Sequence, residues 1–327
     1  MKKILALALC LLMVVSAFVG CSKDADDKTD VESYKFGAGV YSSTPSVTDA
    51  DLDNNGAGKV DVTLAAVIVD ADGKIVSCAV DTTSNTVQYT MEGVAVSGEF
   101  MTKYEIGADY NMVAYGGAAK EWFEQADAFE TVVVGKTLDE VKALVADGNK
   151  GTDEVINAGC TIMIHEFVGA VEKAYNAASA EVSADAKLEV KMLTEQTLTD
   201  ATEDKDGTSK LAINTFAAAY DAAGKVVAAS SDCLEIVFGF TTEGAGTFDA
   251  TRPVLTKKEQ GSDYGMVAYG GAAKEWFEQA AAFDAACVGK TTAEIAGLQG
   301  EDGKGVSDLQ TAGCTIDITS FVKVATK

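Results

Sequence analysis

Residues 110–125 read YNMVAYGGAAKEWFEQ, and residues 264–279 read YGMVAYGGAAKEWFEQ. Only Asn111 against Gly265 separates the two stretches. The offset of 154 residues persists downstream, where Gly135-Lys136-Thr137 returns as Gly289-Lys290-Thr291 and Ala158-Gly159-Cys160-Thr161 as Ala312-Gly313-Cys314-Thr315. A period this long lies far outside the roughly 20–50 residues of solenoid repeats. It predicts two tandem copies of one domain, at residues 32–178 and 179–327, each closed around its own core.

Inside the repeated stretch, Trp122, Ala126, Phe129 and Val133 recur at i, i+4, i+7 and i+11, with Trp276, Ala280, Phe283 and Cys287 in the same places. That spacing predicts an amphipathic helix laid on a sheet. Gly116-Gly117 and Gly270-Gly271 are expected to open this helix, and Gly135 and Gly289 to end it in a left-handed conformation. Thr137-x-x-Glu140 and Thr291-x-x-Glu294 are capping boxes for a short following helix. Phe167, Val168 and Val171 indicate a terminal helix, which the second copy shortens near Phe321.

Upstream, Lys59–Val69 is rich in β-branched residues, Asp70-Ala71-Asp72-Gly73 has turn chemistry, and Ile75–Val80 returns as a strand. Leu211–Tyr220, Asp221–Gly224 and Val226–Ala229 repeat the hairpin, and further strands are expected at 86–91 and 235–240. Strands followed by segregated helices define an α+β class: in each copy a mainly antiparallel sheet with helices packed on one side.

The N-terminus is read apart from the fold. Lys2 and Lys3 precede the apolar run Ile4–Val15, a signal-peptide pattern over residues 1–20 that is too short to span a bilayer stably. The run ends in Phe18-Val19-Gly20-Cys21, which resembles a bacterial lipoprotein cleavage box with Cys21 as the lipidated residue. An ordinary secretory signal is the alternative. Lipidation places the chain on the extracytoplasmic face of the cell membrane, anchored to it rather than spanning it. The acidic, polar residues 21–31 are then a tether.

The net charge of −24 opposes nucleic acid as a partner, since like signs repel, and loss of Lys2 and Lys3 makes it more negative. Beyond Cys10 and Cys21, the five cysteines Cys78, Cys160, Cys233, Cys287 and Cys314 show no disulfide framework and no metal spacing. Cys160 and Cys314, set in apolar segments, read as buried small hydrophobes. Residues 49–56, DADLDNNG, lack the final Glu of a calcium loop, and a single histidine, His165, makes a structural metal unexpected. No nucleophile–base constellation is legible, so the chain reads as a non-enzyme.

Two features remain as candidate sites. Backbone N–H groups of Gly116-Gly117 and Gly270-Gly271, at a helix N-terminus, would favour an anion, with Tyr115 and Tyr269 beside them to cover a planar ring. The competing reading is a tight turn with a packed tyrosine. The second feature is the turn at Gly159-Cys160-Thr161 and its twin Gly313-Cys314-Thr315. Strand, DG-type turn, strand, late Gly-x-Thr turn and terminal helix together resemble the FMN-binding domain of extracytoplasmic flavoproteins. The chain is similar as well to Firmicutes lipoproteins with YGM…KEWxEQ segments.

In the FMN-binding family an Asp-x-x-Ser-Gly-Ala-Thr motif carries FMN as a phosphoester on its last Thr, installed by a flavin transferase. The resemblance implies that Thr161 and Thr315 are the acceptors, with Gly159 and Gly313 as the motif glycines, and that the protein passes electrons to redox partners. Cys160 and Cys314 stand where that motif has Ala, Ala158 and Ala312 where it has Ser, and Val155 and Leu309 where it has Asp. The alternative expectation is a buried strand start with Thr in the ladder, in a non-redox solute-binding or scaffold lipoprotein whose flavin site has decayed.

Overall fold

The computed structural model describes residues 33–327. The predicted leader, Cys21 and the tether lie outside the described residues. Residues Glu32–Lys327 form one compact unit. Its elements run β1 (Tyr34–Ser42), β2 (Ser46–Thr48), β3 (Gly56–Val69), β4 (Ile75–Tyr89), β5 (Ala95–Val96), α1 (Lys103–Ile106), α2 (Trp122–Val133), α3 (Leu138–Lys142), α4 (Asp153–Ala158) and α5 (His165–Asn176). They continue with β6 (Ala180–Val182), β7 (Lys187–Thr199), β8 (Gly207–Tyr220), β9 (Val226–Phe240), β10 (Gly246–Thr247), α6 (Lys257–Gln260), α7 (Trp276–Cys287), α8 (Thr292–Ile295), α9 (Ser307–Thr311) and α10 (Thr319–Ala325).

The fold is mixed, with antiparallel sheets and helices. One sheet has the order β5-β4-β3-β1-β6 with β2 on β3, and the other has β10-β9-β8-β7. Both central hairpins turn at the predicted Asp-x-x-Gly, where Asp70 Oδ1 and Asp221 Oδ1 each accept two backbone amides of the turn. The pairs of short strands expected after each turn are the two ends of one long strand, β4 or β9. Their polar middles look like loop in sequence but continue the ladder, with Asp81, Thr82, Thr83, Asn85 and Ser231 buried. Thr82 and Thr63 share a hydroxyl hydrogen bond of 2.8 Å, and Thr194 Oγ1 donates to Asn85 Oδ1 at 2.8 Å.

The helical stripe is as predicted: Trp122, Ala126, Phe129 and Val133 are buried, as are Trp276, Ala280, Phe283 and Cys287. Both capping boxes after Gly135 and Gly289 are formed, with Thr137 and Thr291 as caps. The packing differs from two separately cored domains. Along β3, Ala65, Val67 and Val69 face the helices of their own half, while Val60, Val62, Leu64, Ala66 and Ile68 face the second sheet. Phe216, Ala218 and Tyr220 of β8 likewise meet their helices, and Leu211, Ile213, Ala217 and Ala219 meet the first sheet. The order is helices, sheet, sheet, helices. Each buried branched side chain contributes about 1.5–3 kcal/mol, so the inter-sheet core is a major part of the stability.

Contacts between the halves are reciprocal. Ala50 N–H donates to Gly244 O and Ala201 N–H to Gly93 O, both at 2.8 Å. Gly246 N–H donates to Asp49 Oδ1 and Ala95 N–H to Asp200 Oδ1, again at 2.8 Å. Lys173 pairs with Glu259 at 2.5 Å and Lys327 with Glu105 at 2.6 Å. At the centre of this arrangement Tyr89 and Phe240 stack, ring centroids 4.7 Å apart and 7° from parallel. Strand β6, just beyond the predicted boundary at residue 178, adds to the edge of the first sheet.

Candidate functional site

The late turn follows α4 in the first half and α9 in the second. Gly159 has φ +107° and Gly313 φ +105°, a left-handed geometry that glycine adopts without strain. The space beside each is taken by a lysine: a Cβ on Gly159 would lie 2.2 Å from Lys120 Nζ, and one on Gly313 2.3 Å from Lys274 Nζ. Lys274 Nζ donates to Ala312 O at 3.0 Å, and Lys120 Nζ to Ala158 O at 3.4 Å. The next residue turns inward. Cys160 and Cys314 are buried, and burial pushes each thiol up to about 11, so neither is a nucleophile near neutral pH.

Thr161 and Thr315 then turn outward and are exposed. A buried glutamine holds each. Gln125 Oε1 accepts the Thr161 amide at 2.8 Å and its hydroxyl at 2.9 Å; Gln279 Oε1 accepts the Thr315 amide at 2.8 Å and its hydroxyl at 3.1 Å. Gln125, only 1% exposed, is fixed in turn by donating Nε2–H to Lys120 O at 3.0 Å. Sequence reasoning misses both glutamines and both lysines, although all four lie in the duplicated KEWFEQ segment. The threonine side chains are not in a buried ladder, so that expectation is corrected. Val155 and Leu309, at the Asp position of the flavoprotein motif, are core residues.

The glycine pairs stand elsewhere than predicted. Helix α2 begins at Trp122 and α7 at Trp276, several residues after Gly117 and Gly271. Gly116 N–H is spent on Asn111 O and Gly270 N–H on Met266 O, inside the turn. The helix N-terminus is filled by the protein's own anion: the Glu121 carboxylate accepts the Met112 amide at 2.9 Å and the Val113 amide at 3.2 Å, and it caps α2. Glu275 does the same for Met266 and Val267. With that carboxylate in place, the site offers no open dipole to a phosphate. Tyr115 and Tyr269 are 87% and 92% exposed, so neither packs against the fold.

Two concave sites that sequence reasoning does not anticipate lie between the halves. One, of about 580 Å³, is walled by Gly37, Ala38 and Gly39 of β1 and by Ala229, Ser230 and Asp232 of β9. Lys258 sits in it, donating to Ser230 Oγ at 2.9 Å and pairing with the buried Asp284 at 3.2 Å. The other, of about 630 Å³, is lined by Ala79, Val80 and Asp81 of β4, Glu130 of α2 and Leu188–Lys191 of β7. Neither is legible in the sequence, because each joins residues more than a hundred positions apart. Comparison of the chain with protein-family models, with curated proteins and with solved structures gives no match.

Proposed function

We propose that this chain is a lipid-anchored binding protein of the extracytoplasmic face, held through Cys21, which carries a small solute without transforming it. The observation that carries the reading is the cleft of about 580 Å³ between the halves, a size suited to a small-molecule ligand. Its lining joins small and apolar residues with polar ones, among them Lys258, Asp232 and the buried Thr215 and Thr256. On this reading the two halves descend from one duplicated ancestral domain, a view supported by their reciprocal contacts, and the cleft formed when they paired. A metabolite screen by thermal shift tests it, because a ligand that binds only the folded chain raises its melting temperature. A hit whose shift disappears in Lys258→Ala supports the proposal. No hit, or a hit indifferent to that change, defeats it.

A second reading is favoured by the exposure of Thr161 and Thr315 on matching turns. There, a flavin transferase would cleave the pyrophosphate of a flavin–adenine dinucleotide, transfer the FMN phosphoryl group to either hydroxyl and release AMP and the hydroxyl proton. The chain would then pass electrons to redox partners at the cell surface. Lys120 and Lys274, beside Gly159 and Gly313, would face the phosphate. The flavin would supply one- and two-electron chemistry, while the protein holds the ester and sets its surroundings. An absorption spectrum and peptide masses of protein made in its own host decide. A colourless protein with unmodified Thr161 and Thr315 peptides ends this reading.

A further inference from the structure

The two inter-half clefts are built from matching positions but differ in charge balance. In the first, Lys258 Nζ lies 3.2 Å from Asp284 Oδ2 and 2.9 Å from Ser230 Oγ, and Asp284 Oδ1 accepts the Ser231 amide at 2.8 Å. In the second, Glu130 occupies the place of Asp284 and accepts the Val80 amide at 2.7 Å. The lysine has become Tyr104, whose hydroxyl donates to Asp127, and the serine has become Ala79. The acid persists; its cation and its hydroxyl do not.

Asp81 joins Glu130 there, its carboxylate accepting the Thr82 amide at 2.7 Å and the Tyr104 amide at 3.3 Å. Neither carboxylate makes an ion pair among the described residues. The lysines of the cleft are committed elsewhere: Lys191 to Glu189 at 3.1 Å, and Lys327 to Glu105 at 2.6 Å. Tyr220, 5% exposed, stands beside Thr292 and Glu189 of the cleft.

We propose that the cleft between β4, α2 and β7 binds an organic ammonium ion, a primary amine on an apolar body, with Glu130 and Asp81 as its counter-ions. The ammonium takes the place that Lys258 Nζ holds in the other cleft. Ala79, Val80, Leu188 and Val190 line the space for the apolar body. Burial, together with the charges of Asp127 and Asp81, pushes Glu130 up to about 7; burial, with the charge of Glu105, pushes Asp81 up to about 6. Cys78, Glu105, Asp127, Glu189, Lys191, Lys327, Tyr104 and Tyr220 complete the titratable surroundings. An arriving cation favours both carboxylates in ionised form. The site is separate from the Lys258 cleft, so its failure leaves the proposed solute cleft standing.

Calorimetric titration of the folded chain with n-butylammonium chloride, with n-butanol as the uncharged control, tests the assignment. Saturable binding of the amine and none of the alcohol is expected, tightening from about pH 5 to about pH 8 as the carboxylates ionise. Glu130→Gln keeps an acceptor for the Val80 amide and is expected to weaken binding about tenfold or more. Tyr104→Lys restores a tethered ammonium and is expected to abolish binding. No saturable binding by the unaltered chain overturns the proposal, as does equal binding of butanol. Undiminished affinity in folded Glu130→Gln does so too.

Discussion

At the scale of single residues, the late turn is set by three groups acting together: a left-handed glycine, a lysine laid against it and a glutamine that gathers the next amide and hydroxyl. Gly159→Ala forces a Cβ onto Lys120 and strains φ, and is expected to destabilise the chain by about 1–3 kcal/mol. In urea denaturation, Lys120→Ala combined with it is expected to relieve the clash but not the φ strain, so partial rescue is the outcome to look for. The acids of the second cleft give a pH signature. Because Glu130 and Asp81 hold protons more tightly folded than unfolded, stability falls as pH rises from about 4 towards about 7, then levels. Glu130→Gln is expected to flatten that slope by on the order of 1–3 kcal/mol across the range, read from unfolding curves at successive pH values. An unchanged slope would place the proton elsewhere.

At the scale of elements, the helices are the most legible part, because an apolar stripe of period 3.6 suits little besides a helix with one face covered. Phe129, at the centre of the α2 stripe, packs at a tilt against Phe167 with centroids 5.2 Å apart. Phe129→Ala is expected to cost about 3–5 kcal/mol in thermal or chemical unfolding. The glycine pair misplaces the start of that helix, since Glu121 is an unusual cap and its partners Met112 and Val113 lie upstream in a turn. The first long strand reads as broken at residues 81–85 because Asp, Thr, Ser and Asn favour loops. In the fold Thr82 and Asn85 are satisfied across the ladder and against the other sheet, which sequence does not display.

At the scale of the whole molecule, the shared inter-sheet core is hidden by the recurrence of the sequence, since a repeated pattern invites the picture of two self-sufficient units. The signal that points the other way is Leu64-Ala-Ala-Val-Ile-Val69, an unbroken apolar run whose two faces both need cover. It follows that the full chain unfolds in a single cooperative transition by calorimetry and circular dichroism. Residues 33–178 produced alone are expected to aggregate, and co-production with residues 179–327 to yield a soluble one-to-one complex by ultracentrifugation. A soluble, monomeric first half would contradict the shared core.

The stacked Tyr89 and Phe240 bear on how the two segments recognise one another. The Tyr89 hydroxyl donates to Thr48 O at 2.7 Å and comes within 1.9 Å of where a methyl on Gly246 would stand. The matching positions hold Phe240 and Ala95: a ring lacking that oxygen, and a residue possessing that methyl. Two identical first segments brought together would drive a methyl into a phenol, and two identical second segments would leave a void. Like is thereby discouraged from joining like, and in a crowd of such molecules each chain stays folded upon itself instead of trading pieces with its neighbours.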